Sequence, residues 1–209
     1  MKKRILCFGD SNTWGDSGVN AIRYEDDVRW TGRLQALLGD GYTVIEEGQN
    51  GRTTVRDDAY ENRMAGLTYL WPCMESHHPF DLLIVMLGTN DTKCYFGAQP
   101  GSIARGAGRL VEMAQKSNFG RDGKPPRVLL VSPIRIEYSD TFAYNFGQQA
   151  AEKSKGFADA YREIAKRFGC DFMDAAEFAE PCAEDGVHLN AEGHAKLAQA
   201  MYNKIQRLL

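Results

Sequence analysis

Four short stretches of the chain combine small polar residues with groups able to move a proton or hold a charge: FGDSNTWG (8–15), EEGQNGRTT (46–54), MLGTND (86–91) and EDGVHLN (184–190). In the first, Ser11 lies three residues past the apolar run Ile5–Phe8, so its hydroxyl could be presented as a nucleophile at the turn leaving a strand. The competing reading is that Asp10 and Ser11 only cap the next helix. In the second, Gly48 and Gly51 permit a tight turn that could point a backbone N–H into a site, or simply make a turn. In the third, Asn90 could donate its amide to a developing negative charge, although Gly-Thr-Asn-Asp is also turn-forming. In the fourth, Asp185 and His188 are three apart. A short turn then lets the carboxylate accept a hydrogen bond from one imidazole nitrogen and frees the other as a general base. A lone histidine before a helix is otherwise a surface or capping residue. As a set on loops at one sheet edge, Ser, Asp and His with candidate hydrogen-bond donors weigh toward nucleophilic catalysis over separate caps and turns.

Those stretches need a frame that delivers them to one place. Nearly continuous apolar runs recur at Ile5–Phe8, Tyr42–Glu46, Leu82–Leu87, Val128–Val131 and Cys170–Met173, the pattern of parallel strands covered on both faces. Between them, Ile103, Ala107, Leu110, Val111 and Ala114 form one helical face, and Phe157, Tyr161, Ile164 and Phe168 form another, followed by Gly169 at the expected helix end. A last helix carries Leu197, Ala198, Met201, Ile205 and Leu208 behind the N-cap candidate Asn190. Alternating strands and helices predict an α/β fold with a doubly wound, parallel sheet of about five strands. The irregular segments are Asp16–Arg29, Gly51–Gly66, Gly120–Pro126 and Pro133–Gln148. Three of them follow strands and would supply pocket walls at the carboxyl edge of the sheet.

At 209 residues, without repeats or linkers, the chain is expected to be one domain. A net charge of −3, with 43% hydrophobic and 25% charged residues, gives no footprint for nucleic acid or an anionic membrane. The apolar run behind Met1–Arg4 is only four residues long, too short for a signal peptide or a membrane span, so a cytoplasmic protein is expected. Cys7, Cys73, Cys94, Cys170 and Cys182 include no C-x-x-C pair and read as incidental or buried thiols. His77 and His78 precede Pro79 without an evident spaced ligand partner and read as loop or helix-end residues; no metal is expected. A Walker loop and a G-x-S-x-G elbow are both absent from the sequence.

GDSNTWG, GQNG, GTND and DGVHLN resemble, in order and approximate spacing, the four sequence blocks of the SGNH, or GDSL-like, hydrolases, over the whole chain. KRILCFGDS, DVRWTGRL, VIEEG with RTT, and MLGTNDTK are most similar to the oligomeric arylesterase/acyltransferase branch. The resemblance implies a flavodoxin-like, three-layer α/β/α fold with Ser11 as nucleophile, His188 as base and Asp185 as its orienting acid. It further implies an oxyanion hole made by the N–H groups of Ser11 and Gly51 and the side-chain amide of Asn90, no cofactor, and a homo-oligomer, with an octamer as a candidate assembly. Asn12 departs from the pattern, standing where the family commonly has an aliphatic residue. The segment Pro133–Gln148, with Arg135, Glu137, Tyr138, Phe142, Tyr144 and Phe146, matches nothing in it.

The expected activity is hydrolysis of short, acetyl-type esters through an acyl-serine, with transfer to another alcohol as a variant outcome. Trp14, three residues from Ser11, is expected to crowd the acyl side, its alternative role being core packing. Two other readings stay open: a thioesterase or lysophospholipase of the same superfamily, and a non-catalytic flavodoxin-like binding module, which would not need Asp-x-x-His beside the serine.

Overall fold

The structure is a computed structural model that describes residues 1–209 except Val19 and Ala21, so that part of the Asp16–Arg29 segment lies outside the described residues. The chain runs β1 (Lys3–Gly9), α1 (Ser11–Trp14), α2 (Trp30–Leu38), β2 (Tyr42–Gly48), α3 (Gly66–His77), β3 (Leu82–Met86) and α4 (Pro100–Gln115). It continues with β4 (Arg127–Ser132), α5 (Gly147–Ser154), α6 (Phe157–Phe168), β5 (Asp171–Asp174) and α7 (Ala191–Ile205). The five strands form one all-parallel sheet in the order β2-β1-β3-β4-β5. This is the predicted α/β architecture, and each of the five apolar runs lies at a strand.

The continuous hydrophobicity of the central strands has a direct explanation in the pleat, which sends alternate residues to opposite faces. Leu6 and Phe8 of β1, Leu83 and Val85 of β3, and Val128 and Leu130 of β4 enter a core completed by α3, α4 and α6. Ile5 and Cys7, Leu82 and Ile84, and Leu129 and Val131 enter a second core under α2 and α7. Two buried faces therefore require both sets to be apolar. The edge strands depart from that expectation: β2 is only partly buried along its whole length, and β5 buries fully only Met173. The helical faces match the periodicities, with Gly169 left-handed at the α6 C-cap and Asn190 Oδ1 accepting the Gly193 N–H at 2.8 Å. Among the described residues no helix is long and apolar enough to cross a membrane.

Two contacts tie this frame to the carboxyl edge. A Cβ on Gly48 would lie 2.1 Å from the Trp14 backbone nitrogen, so only glycine lets the end of β2 close against α1. Fully buried Tyr161 on α6 donates its hydroxyl to the Leu87 carbonyl at 2.5 Å, fixing the turn that carries Gly88, Thr89 and Asn90. Tyr161→Phe leaves that carbonyl without its partner in a dry setting. The expected cost is about 1–3 kcal/mol, read as a lower urea midpoint at unchanged m-value.

Candidate active site

The residues after β1 divide the two roles that the sequence left open. Asp10 makes the helix cap, its carboxylate accepting the Asn12 N–H at 3.0 Å, while its carbonyl accepts the N–H groups of Thr13 and Trp14. Ser11, relieved of capping, turns its hydroxyl toward the other end of the chain, where Ser11 Oγ lies 2.9 Å from His188 Nε2. His188 Nδ1 lies 2.9 Å from Asp185 Oδ2. Asp185 Oδ1 also accepts the Val187 and His188 N–H groups, at 2.7 and 2.8 Å. The short turn therefore fixes the carboxylate against its own loop and aims the imidazole outward.

Burial by itself would raise the Asp185 carboxyl, but the His188 hydrogen bond and charge, with the two N–H donors, hold it below the ordinary carboxylate range. His188 responds oppositely. Its burial favours the neutral ring, yet the Asp185 hydrogen bond and charge outweigh that, and Asp16 and Asp10 add to the effect, so its pKa is raised above the ordinary imidazole value of 6.5. Beneath the site, desolvation pushes Asp10 up to about 6 and Asp91 up to about 7 despite the hydrogen bonds that each accepts.

Asn12, the departure from the family pattern, spans the gap between the serine and histidine segments. Its Nδ2 donates to the Val187 carbonyl at 3.1 Å and its Oδ1 accepts the Leu189 N–H at 2.9 Å. The two residues that flank His188 are thereby bonded to the residue that follows Ser11. An aliphatic side chain there can fill the space but make neither bond.

The second and third stretches are also joined to each other. Asn90 Nδ2 donates one hydrogen to the Arg52 carbonyl at 3.2 Å, which orients the amide and leaves its second hydrogen. Asp91 accepts the Thr54 N–H at 2.9 Å and the Thr54 hydroxyl at 2.5 Å. The Arg52 guanidinium donates to the carbonyls of Gly9 and Glu47, linking the same loop back to β1 and β2. Ser11, Gly51, Asn90 and His188 all line one cavity of about 630 Å³. The hydroxyl of Ser11, the imidazole of His188 and the amide of Asn90 thus border one space with the turn at Gly51.

Trp14 is not among that cavity's lining residues. It borders an adjoining depression of about 280 Å³, which shares Asn50 and Arg63 with the larger cavity, and the Arg23 guanidinium lies 5.3 Å from its ring centroid. The side chain expected to crowd the acyl side thus stands beside the cavity, where Gly48 lets α1 close against β2. The walls come largely from the irregular segments expected to supply them, 16–29, 51–66 and 133–148. Glu61 is pinned by Lys93 Nζ at 2.7 Å and Asn145 Nδ2 at 3.0 Å, and Lys93 is held in turn by buried Asp58 at 3.0 Å. Phe142, from the 133–148 segment expected to wall the site, meets His188 edge-on at 5.8 Å.

A separate group concerns metal binding. Glu47, Cys73 and His77 bring three ligand atoms within 4.8 Å of one another. The reading that His77 lacks a spaced partner is thus corrected, because Cys73 precedes it by one helical turn on α3 and Glu47 reaches it from β2.

Comparison with known proteins shows the family and the fold. The family model described as GDSL-like Lipase/Acylhydrolase matches residues 7–196. The structure of Est24, a carbohydrate acetylesterase from Sinorhizobium meliloti, is 39% identical with a TM-score of 0.92 and full coverage of both chains. The native M. smegmatis aryl esterase is 38% identical with a TM-score of 0.93, covering 99% of this chain and 100% of that one. An acetylxylan esterase from Xylanibacter ruminicola is 25% identical over 94% of this chain, which spans 42% of that relative's length. With four blocks of the family pattern gathered at one sheet edge and a family match across nearly the whole sequence, the chain belongs to the GDSL-like lipase/acylhydrolase family of carboxylic ester hydrolases.

Proposed function

We propose that the chain hydrolyses short acyl esters, acetyl esters first among them, through an acyl-serine on Ser11. The observation that carries this reading is the continuous hydrogen-bonded line Ser11–His188–Asp185 at 2.9 Å per step. In the first half-reaction His188 takes the Ser11 proton as Oγ attacks the ester carbonyl. The N–H groups of Ser11 and Gly51 and the Asn90 amide receive the oxyanion, an arrangement in which each donor is typically worth about 10²–10³ in kcat. His188 then returns the proton to the leaving alcohol. Water, activated by the same imidazole, cleaves the acyl-serine and regenerates the hydroxyl.

The cavity wall supports a small acyl group and a hydroxylated alcohol. A long acyl chain needs an unbroken apolar channel, whereas Asp16, Asn50, Glu61, Arg63 and Lys93 interrupt the surface that Val187, Phe142 and Phe146 contribute. A pinned Glu61 can accept hydroxyl hydrogens, and the exposed rings of Tyr60 and Tyr144 flank the same mouth. This is in keeping with the carbohydrate acetylesterase and acetylxylan esterase named above. Acyl transfer to an alcohol is a second reading, favoured by the Phe142 ring that shields one side of His188. The homo-oligomer implied by the resemblance is part of the same proposal and is separated from a monomer by light scattering.

The deciding experiment is fluorophosphonate labelling together with an ester panel. Stoichiometric labelling of wild type, its loss in Ser11→Ala, and falling kcat/KM from acetyl to octanoyl esters are expected. An unlabelled wild type would sink the proposal, and a rate rising with chain length would sink the short-acyl part. Because His188 must be neutral to act as base and its pKa is raised, the acidic limb of the kcat/KM profile should have its midpoint above pH 6.5. Asp185→Asn removes the cause of that elevation, so the limb should move to lower pH while kcat falls on the order of 10³–10⁴. Asn12→Ala deletes both bonds to the His188 loop and should lower kcat about ten- to hundredfold with little change in KM, since neither bond touches substrate.

A further inference from the structure

Beyond the cleft, one set of ligating side chains has no part in the proposed chemistry. Cys73 and His77 are four residues apart on α3, so they face the same way one turn from each other. Glu47, the penultimate residue of β2, meets them across the seam, with its Oε1 2.7 Å from His77 Nε2. We propose that Glu47, Cys73 and His77 form a binding site for a zinc-type divalent cation, with water in the fourth position.

The donor set fits such an ion. One thiolate, one imidazole and one carboxylate suit zinc or cobalt, whereas magnesium and calcium favour all-oxygen sites. Tetrahedral coordination places neighbouring donors about 3.5 Å apart, and the three donor atoms already lie within 4.8 Å of one another. The ion has a way in, because the side chains of His77 and Glu47 are 29% and 19% exposed. A larger molecule has none, because Cys73 is 1% exposed, and the thiol is therefore unsuited to act as a nucleophile toward an acyl substrate. Burial and the neighbouring Glu47 also disfavour its free thiolate.

Binding must balance charge as well as geometry. The Arg52 guanidinium, which donates to the Glu47 carbonyl and lies 4.2 Å from the Phe8 ring centroid, puts a positive charge near the cluster. A cation held by neutral donors would be repelled there. Two anionic ligands offset a divalent ion: Glu47 is one, and Cys73 becomes the other by releasing one proton to solvent for each ion bound. The His77–Glu47 hydrogen bond is exchanged for two bonds to the metal. Occupation would fasten β2, the strand at one edge of the sheet, to α3 at the His77–Glu47 contact, just ahead of the turn that carries Gly51.

The test is titration of chelator-stripped protein with Co²⁺, followed by near-ultraviolet thiolate-to-cobalt absorption and visible bands. The proposal expects one equivalent bound, displacement by Zn²⁺, loss of the near-ultraviolet band in Cys73→Ser, and affinity at least about tenfold weaker in His77→Gln. Far-ultraviolet circular dichroism checks that each variant is folded. Cys94→Ser, which removes the exposed thiol, should leave the spectrum unchanged. Absence of the band in wild type overturns the proposal, as does a band that survives Cys73→Ser or disappears with Cys94. If Cys73→Ser does not fold, His77→Gln decides alone, and unchanged affinity there rejects the site.

Discussion

A 2.9 Å hydrogen bond between side chains 177 positions apart, Ser11 and His188, is the constraint around which the rest of the molecule is arranged. Holding two such distant residues within a fraction of an ångström requires that the elements carrying them be rigid and share one edge. The parallel sheet supplies the edge, since all of its strands point their carboxyl ends the same way. Rigidity comes from bonds one step removed. Asn12 joins the serine turn to the loop on both sides of His188, Asp185 accepts the backbone of its own loop, and Tyr161 fixes the turn ahead of Asn90. None of these contacts needs to touch a substrate to set the distance at which chemistry occurs.

Electrostatics imposes the second condition. In the proposed mechanism the centre holds a transient oxyanion amid several carboxyl groups, and unmodified negative charge there would oppose the reaction. Each group is managed differently. Burial brings Asp10 and Asp91 toward neutrality, Asp185 is committed to His188, and Glu61 is held by Lys93 and Asn145. The same Asp185 that supports His188 also makes the ring more basic than a free imidazole, coupling orientation to proton affinity.

What could be read in the sequence follows from how local its causes are. The runs around Ile5, Leu82 and Val128 had to be apolar on both faces, so their identity as strands was plain; β2 and β5 carry more polar residues because edge strands need less burial. The Ser, Asn and Asp-x-x-His stretches were likewise legible, because each places its functional atom through a short turn of its own. The segments that wall the cavity, 16–29, 51–66 and 133–148, were legible too, but the contacts between them were not. Glu61, Lys93 and Asn145 meet only through tertiary packing, and no spacing announces them. The surroundings of Trp14 were not legible either, because its backbone packs against Gly48 of β2, 34 positions away. Asn12 looked unexplained in sequence because both of its bonds lie across the fold, at Val187 and Leu189.

The bridge from Asn12 to Leu189 also bears on how the protein acquires its reactivity. A contact of such high sequence separation forms only after the entropy of closing a very long loop has been overcome, and topologies dominated by such contacts fold comparatively slowly. While the segment ahead of α7 is undocked, Ser11 is an ordinary alcohol with no base, so a partly folded chain is chemically silent. Local opening of that terminal segment would take His188 away from Ser11 and so, in the proposed mechanism, remove the base. Reactivity of Ser11 toward a phosphonate is therefore a report on closure of the whole fold, read at a single oxygen atom.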